Sequence, residues 1–144
     1  MIRNISTKDK INVSTYLASK LNLSFSEAEK KVRKIIKSGQ PNFLLESKDL
    51  QGFCYVETRI INGEKLKFVE ILCNNWRLAE MFIKILRWNL NGIYWLSLPK
   101  HDFLNRTFNK NGLRFVKCDG AKNIYCYRFE HHQFANFKSE DNEE

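Results

Sequence analysis

Five cations crowd one short stretch of the chain: Lys30, Lys31, Arg33, Lys34 and Lys37. At helical spacing they fall mostly opposite Ala28, Val32, Ile35 and Ile36, so they form either an anion-binding face or an ordinary solvated one. The charge of the whole chain is skewed the same way. Residues 1–129 carry 23 Lys and Arg against 11 Asp and Glu, whereas residues 130–144 carry one Lys against five acids. A body this basic attracts nucleic acid, an acidic protein surface or a phosphorylated cofactor without any specific site. The acidic end, polar after Phe137, reads as a solvated terminus or as a tail that competes with a polyanion for that body.

Other chemistries are excluded by spacing. His131-His132 and the four cysteines lack paired ligand spacing, so no metal site is expected. There is no P-loop, no Gly-x-Ser-x-Gly and no dinucleotide fingerprint. Cys73 has no evident base to activate it, and all four cysteines read as small buried hydrophobes. Tyr94, Tyr125 and Tyr127 carry phenols that could give a proton, but a buried, hydrogen-bonded tyrosine is the commoner role. His101 could cap a helix, stack on a nucleotide or simply be exposed. Trp76, Trp88 and Trp95 could stack bases, with Trp95 expected in the core. The first residues hold no apolar stretch of a signal peptide, and no run reaches the ~18 apolar residues of a membrane span. With unpaired cysteines, these features lead us to expect a cytoplasmic protein with reduced thiols and no membrane partner.

The elements that must position these groups follow from periodicity. Met1–Ser6 reads as a short strand, and Thr7–Leu21 as a helix with Ile11, Leu17 and Leu21 on its apolar side beside Tyr16. Ser24 and Glu27 make a capping box for a helix that stops at Gly39. Strands are expected over Asn42–Ser47, Gly52–Ile61 and Lys65–Cys73, the last two joined at Asn62-Gly63. A helix follows from Asn74 or Asn75, with Gly92 as its terminator. Ile93–Leu98 is so apolar that a strand covered on both faces, in parallel pairing, is expected. A short helix over Asp102–Lys110 ends at Asn111-Gly112, and a hairpin turns at Asp119-Gly120. With no linker or repeat, the reading is a single domain over 1–129 and a polar acidic tail over 130–144.

That order, β α α β β β α β α β β, resembles the GNAT (acyl-CoA N-acyltransferase) superfamily over about residues 1–129. The resemblance implies an α/β fold with a mixed, mostly antiparallel sheet flanked by helices and a central strand-helix-strand crossover. Its most specific piece is Phe108-Asn109-Lys110-Asn111-Gly112-Leu113, where the family often has Tyr-x-Lys-x-Gly-Phe. Lys110 and Gly112 match, and Phe108 stands where the family's tyrosine serves as general acid. The family's Gln/Arg-x-x-Gly-x-Gly/Ala loop, which cradles a pyrophosphate at a helix N-terminus, corresponds to Cys73–Glu80. Arg77 takes the Arg position and Ala79 is small, but no glycine is present, and Glu80 brings a negative charge.

The resemblance therefore implies acetyl-CoA as cofactor, with Leu72, Cys73, Arg77, Leu78, Ala79, Asn105, Phe108 and Lys110 around it. Glu70 is the implied general base, and Glu57 a weaker alternative. The expected function is acylation of an amine on an unidentified acceptor, with a homodimer plausible for this fold. The alternative is a scaffold without catalysis that binds nucleic acid or an acidic protein through its basic surface.

Overall fold

Every element expected from periodicity forms in the computed structural model, which describes residues 2–130. The acidic tail and His131-His132 lie outside the described residues. The first half of the chain contains β1 (Ile2–Arg3), α1 (Lys10–Leu21), α2 (Phe25–Ser38), β2 (Asn42–Glu46), β3 (Leu50–Ile61) and β4 (Glu64–Cys73). The second contains α3 (Trp76–Asn89), β5 (Asn91–Pro99), α4 (Leu104–Lys110), β6 (Arg114–Asp119) and β7 (Lys122–Glu130). The strands follow the order β1-β2-β3-β4-β5-β7-β6, mostly antiparallel; β4 and β5 are parallel, with Phe68 opposite Trp95. The described residues form two compact units, 2–57 with Val69–Asn75, and Thr58–Phe68 with 76–130.

In the first unit, α1 and α2 bury Val13, Leu17, Ala28, Val32 and Ile35 against Leu44, Phe53 and Tyr55. The capping box behaves as expected. Ser24 Oγ accepts from the Glu27 amide at 3.1 Å, and Glu27 Oε1 accepts from the Ser24 amide at 2.9 Å. Gly39 closes α2 with φ +69°. Ile11, expected on the apolar side of α1, is instead 66% exposed; Val13, Ser14 and Leu17 face inward. Ile11 lies about 200° around the helix from Val13, off the face that Val13 and Leu17 share.

In the second unit, Asn62 and Gly63 both take positive φ, which fits the tight turn of the β3–β4 hairpin. Helix α3 ends at Asn89, so Gly92 does not terminate it; Gly92 lies inside β5. Strand β5 is not covered on both faces. Tyr94, Leu96 and Leu98 are buried, while Trp95 is only half-buried and Ile93 is 47% exposed. The parallel pairing was legible, but the apolar run carries one core face rather than two. The last hairpin turns on Gly120-Ala121, one residue later than expected, since Asp119 still pairs with Lys122. Strand β6 lies at the sheet edge and is exposed throughout.

Candidate functional site

The β5–α4 connection and the facing side of α3 line an open cavity of about 610 Å³. Trp76 and Glu80 come from α3, and Lys100, His101, Asp102 and Phe103 from the connection. Asn105, Arg106, Thr107 and Lys110 come from α4. The connection is held by its own polar groups. Asp102 Oδ1 accepts from the Leu104 amide at 2.8 Å, a side-chain cap that starts the short helix. Asn105 is the hub: its Nδ2 donates to the Pro99 and Asp102 carbonyls, each at 2.9 Å. Its Oδ1 accepts from Asn123 Nδ2 at 3.0 Å and from the Tyr125 hydroxyl at 2.9 Å.

The other end of α4 is a Schellman closure. The Leu113 amide donates to the Phe108 carbonyl at 3.1 Å and the Gly112 amide to that of Asn109 at 3.2 Å. Gly112 has φ +83°, a conformation that glycine adopts without a Cβ penalty. This closure fixes the last residue of the helix, Lys110, whose ammonium stands 5.6 Å from the centroid of the Trp76 ring. The Arg77 guanidinium stands 5.4 Å from the same ring. Trp76 is 46% exposed and Phe103 52% exposed, so two aromatic rings face solvent at one cavity.

The electrostatics favour an anion. Lys100, Arg106 and Lys110 are exposed at the lining. Of its two carboxylates, Asp102 is engaged at the helix start and Glu80 accepts from Asn111 Nδ2 at 3.0 Å. The arrangement can therefore hold a planar ring and a phosphate together.

The residues implied by the family loop divide. Lys110 and Asn105 line the cavity, and Arg77 leans on its tryptophan. Asn105, however, has both donors and both lone pairs committed within the protein. Phe108 is 1% exposed and meets the Tyr125 ring edge-on at 5.2 Å, so it is core and not cavity lining. Ala79 is fully buried, and Leu78 is half-buried outside the lining. Leu72 packs against the α1–α2 core. Cys73 is buried, and its thiol donates to the Asn75 carbonyl at 3.3 Å. Glu70 is half-buried on β4, on the same side of the strand as Leu72.

Tyr125 is 1% exposed, and burial pushes its phenol up, as it does that of Tyr94. Glu57 is taken by an ion pair with Lys31 at 3.1 Å, and Lys31 also stands over the Tyr55 ring at 5.7 Å. Lys31 therefore leaves the cationic face of α2, while Lys30, Arg33, Lys34 and Lys37 remain exposed there. Burial pushes the Cys54 thiol well above the ordinary range, in keeping with an inert buried cysteine. Among the described residues no group of three or more His, Cys, Asp and Glu could hold a metal. No described helix is long and apolar enough to cross a membrane.

Sequence reasoning did not place Lys100, Phe103 and Arg106 at the site. Their signal was present: cations at 100, 106 and 110 with an aromatic at 103 follow β5, and Trp76 follows β4.

No family model matches the sequence, and no curated protein does. Solved structures do. A GNAT-family acetyltransferase from Bacillus cereus superposes with a TM-score of 0.70 at 13% identity, covering 89% of this chain and 96% of that one. A ribosomal-protein-alanine N-acetyltransferase from Brucella melitensis gives 0.68 at 8% identity, covering 89% and 99%. The acetyltransferase yncA from Salmonella typhimurium, described as putative and solved with its cofactor acetyl-CoA, gives 0.65 at 10% identity, covering 92% and 95%. The chain has the fold of the GNAT acetyltransferases.

Proposed function

We propose that this protein is an N-acyltransferase that uses acetyl-CoA to acylate an amine. The observation that carries the reading is the cationic, aromatic-lined cavity beside α3 and α4, in a fold whose solved examples include one crystallised with acetyl-CoA. The residues fit the cofactor by other means than glycines: Lys100, Arg106 and Lys110 supply cations for phosphates, and Trp76 a ring face. When bound, acetyl-CoA supplies an activated acyl group whose leaving group is a thiolate. Glu70 accepts the proton that the acceptor amine loses as its nitrogen bonds to the acyl carbon. The half-buried position of Glu70 favours a base that is partly shielded from water. Phe108 has no proton to give, and the bound cofactor would supply a leaving group, a thiolate, that is tolerable without one. Catalysis is then mostly positioning.

The test is acetyl transfer to a panel of amine acceptors with the wild type and Glu70→Gln. The reading expects transfer by the wild type and a kcat about a hundredfold lower in the variant, with the acidic limb of the pH profile altered. Absence of transfer to any acceptor, together with absence of acetyl-CoA binding, would overturn it.

A second reading has its own observation. Lys30, Arg33, Lys34 and Lys37 are exposed on one helix, and such a face suits a polyanion such as nucleic acid or an acidic protein. Its test is salt-dependent binding of RNA to the wild type and to a Lys30, Lys34 and Lys37 triple alanine variant. Loss of binding in that variant alone would favour it.

A further inference from the structure

We propose that the open face of the β5–β7–β6 sheet is the seat of the chain's own C-terminal segment, residues 131–144. Phe134 and Phe137 cover its apolar part, and the acids that follow lie among its cations. The inference is independent of the acyl-transfer reading.

Residues opposite one another on antiparallel strands share a face. Ile93 is opposite Arg128, and Cys126 is opposite both Trp95 and Arg114. These five side chains therefore stand on one side of the sheet. Helices α3 and α4 pack on the other: Phe108 of α4 meets the Tyr125 ring at 5.2 Å, and the Arg87 guanidinium of α3 stands 5.5 Å from the Tyr127 ring. The near side is apolar in its middle and open. Ile93 is 47% exposed, Trp95 and Cys126 are half-buried, and both arginines are exposed. Strand β6 begins opposite Cys126, so residues 127–130 of β7 run on without β6 beside them. A cavity of about 490 Å³ lies there, with Ile93, Arg114, Arg128 and Glu130 in its lining.

The same side is cationic. The pairing puts Arg114, Lys117, Lys122 and Arg128 on it, against Asp119 and Glu130. Among the described residues, neither Arg114 nor Arg128 is in an ion pair. A second copy docked through this face would set cation against cation, which selects against it. The segment after Glu130 has the complementary character. Phe134 and Phe137 come first, then Glu140, Asp141, Glu143 and Glu144, with Lys138 as the one cation. It departs from Glu130, which itself lines the cavity. Seven residues at about 3.4 Å each span about 24 Å, and neighbouring strands are about 4.8 Å apart, so both rings can reach β5 and β6. The tether also gives the segment an effective concentration on the order of millimolar, an advantage that a separate acidic partner lacks.

The experiment is alkylation of the full chain by N-ethylmaleimide, read cysteine by cysteine by peptide mass spectrometry. Cys126 reports the face. Cys118 is exposed and opposite Asn123, on the other side of the sheet, while Cys54 and Cys73 are buried and report unfolding. With Phe134→Ser and Phe137→Ser together, Cys126 is expected to react roughly tenfold faster than in the wild type. Cys118 should be unchanged, and Cys54 and Cys73 should stay protected. Glu140→Gln, Asp141→Asn, Glu143→Gln and Glu144→Gln together should also speed Cys126, by less at high salt. Equal rates at Cys126 in the wild type and the phenylalanine double variant would overturn the inference, as would indifference to loss of the four charges. Protection of Cys126 that grows with protein concentration would make a second copy the occupant and overturn it too.

Discussion

Lys110 holds its ammonium 5.6 Å from the centroid of the Trp76 ring, across from one helix to another. The contact depends on where α4 stops. Lys110 is the last helical residue, and the next two, Asn111 and Gly112, form the closure that pins it.

Replacing Gly112 by alanine tests that dependence. An added Cβ meets nothing within 4 Å, so the cost is confined to the backbone at φ +83°. Chemical denaturation should show a loss of about 1–2 kcal/mol, and acetyl-CoA binding should weaken as Lys110 loses its anchor. An unchanged midpoint would show that the closure contributes nothing.

Tyr125→Phe separates a structural tyrosine from a catalytic one. The phenol donates to Asn105 and is buried, so its removal should cost about 0.5–1.5 kcal/mol of stability. On the proposed mechanism, which uses no general acid, the rate of acetyl transfer should not change. A large fall in kcat with retained stability would make Tyr125 the missing acid and contradict the account.

The α1–α2 layer should be sensitive to cavities. Leu17 is fully buried among Val13, Ala28 and Val32, so Leu17→Ala is expected to lose about 2–5 kcal/mol in denaturant unfolding. A loss below this range would mean that the layer collapses around the gap.

Asp9 gives the first unit an acid-sensitive tie. The Arg3 guanidinium meets both of its oxygens at 2.7 Å and Ser6 donates to it, which holds the carboxyl well below the ordinary range. A depressed carboxyl contributes stability above its unfolded pKa, and that contribution is lost as pH falls through the folded value. The wild type should therefore exceed Asp9→Asn in melting temperature at neutral pH, with the gap closing in acid below pH 3.8. A gap independent of pH would show that the ion pair is not the cause.

The local grammar of the fold was legible where one residue type answers one geometric demand. Ser24 with Glu27, Asn62-Gly63 and Gly112 each announced a cap or turn that the structure contains. Features that depend on tertiary surroundings were not legible. Ile93 and Ile11 are apolar yet exposed, because burial depends on which neighbours arrive and not on the residue alone. At the cavity, Lys110 is a lining residue that the family pattern also names, whereas Asn105 could not be known to be spent. Its partners Asn123 and Tyr125 are on a strand some twenty residues away in sequence. Phe108 matched the position of a catalytic tyrosine and proved to be core, since position in a motif does not reveal whether a ring faces the cavity.

The most direct measurement is calorimetric titration of the protein with acetyl-CoA at low and at high salt, with the wild type and Arg77→Ala. The account predicts saturable binding in the low micromolar range that persists at high salt and weakens in the variant. No binding at millimolar acetyl-CoA would contradict it.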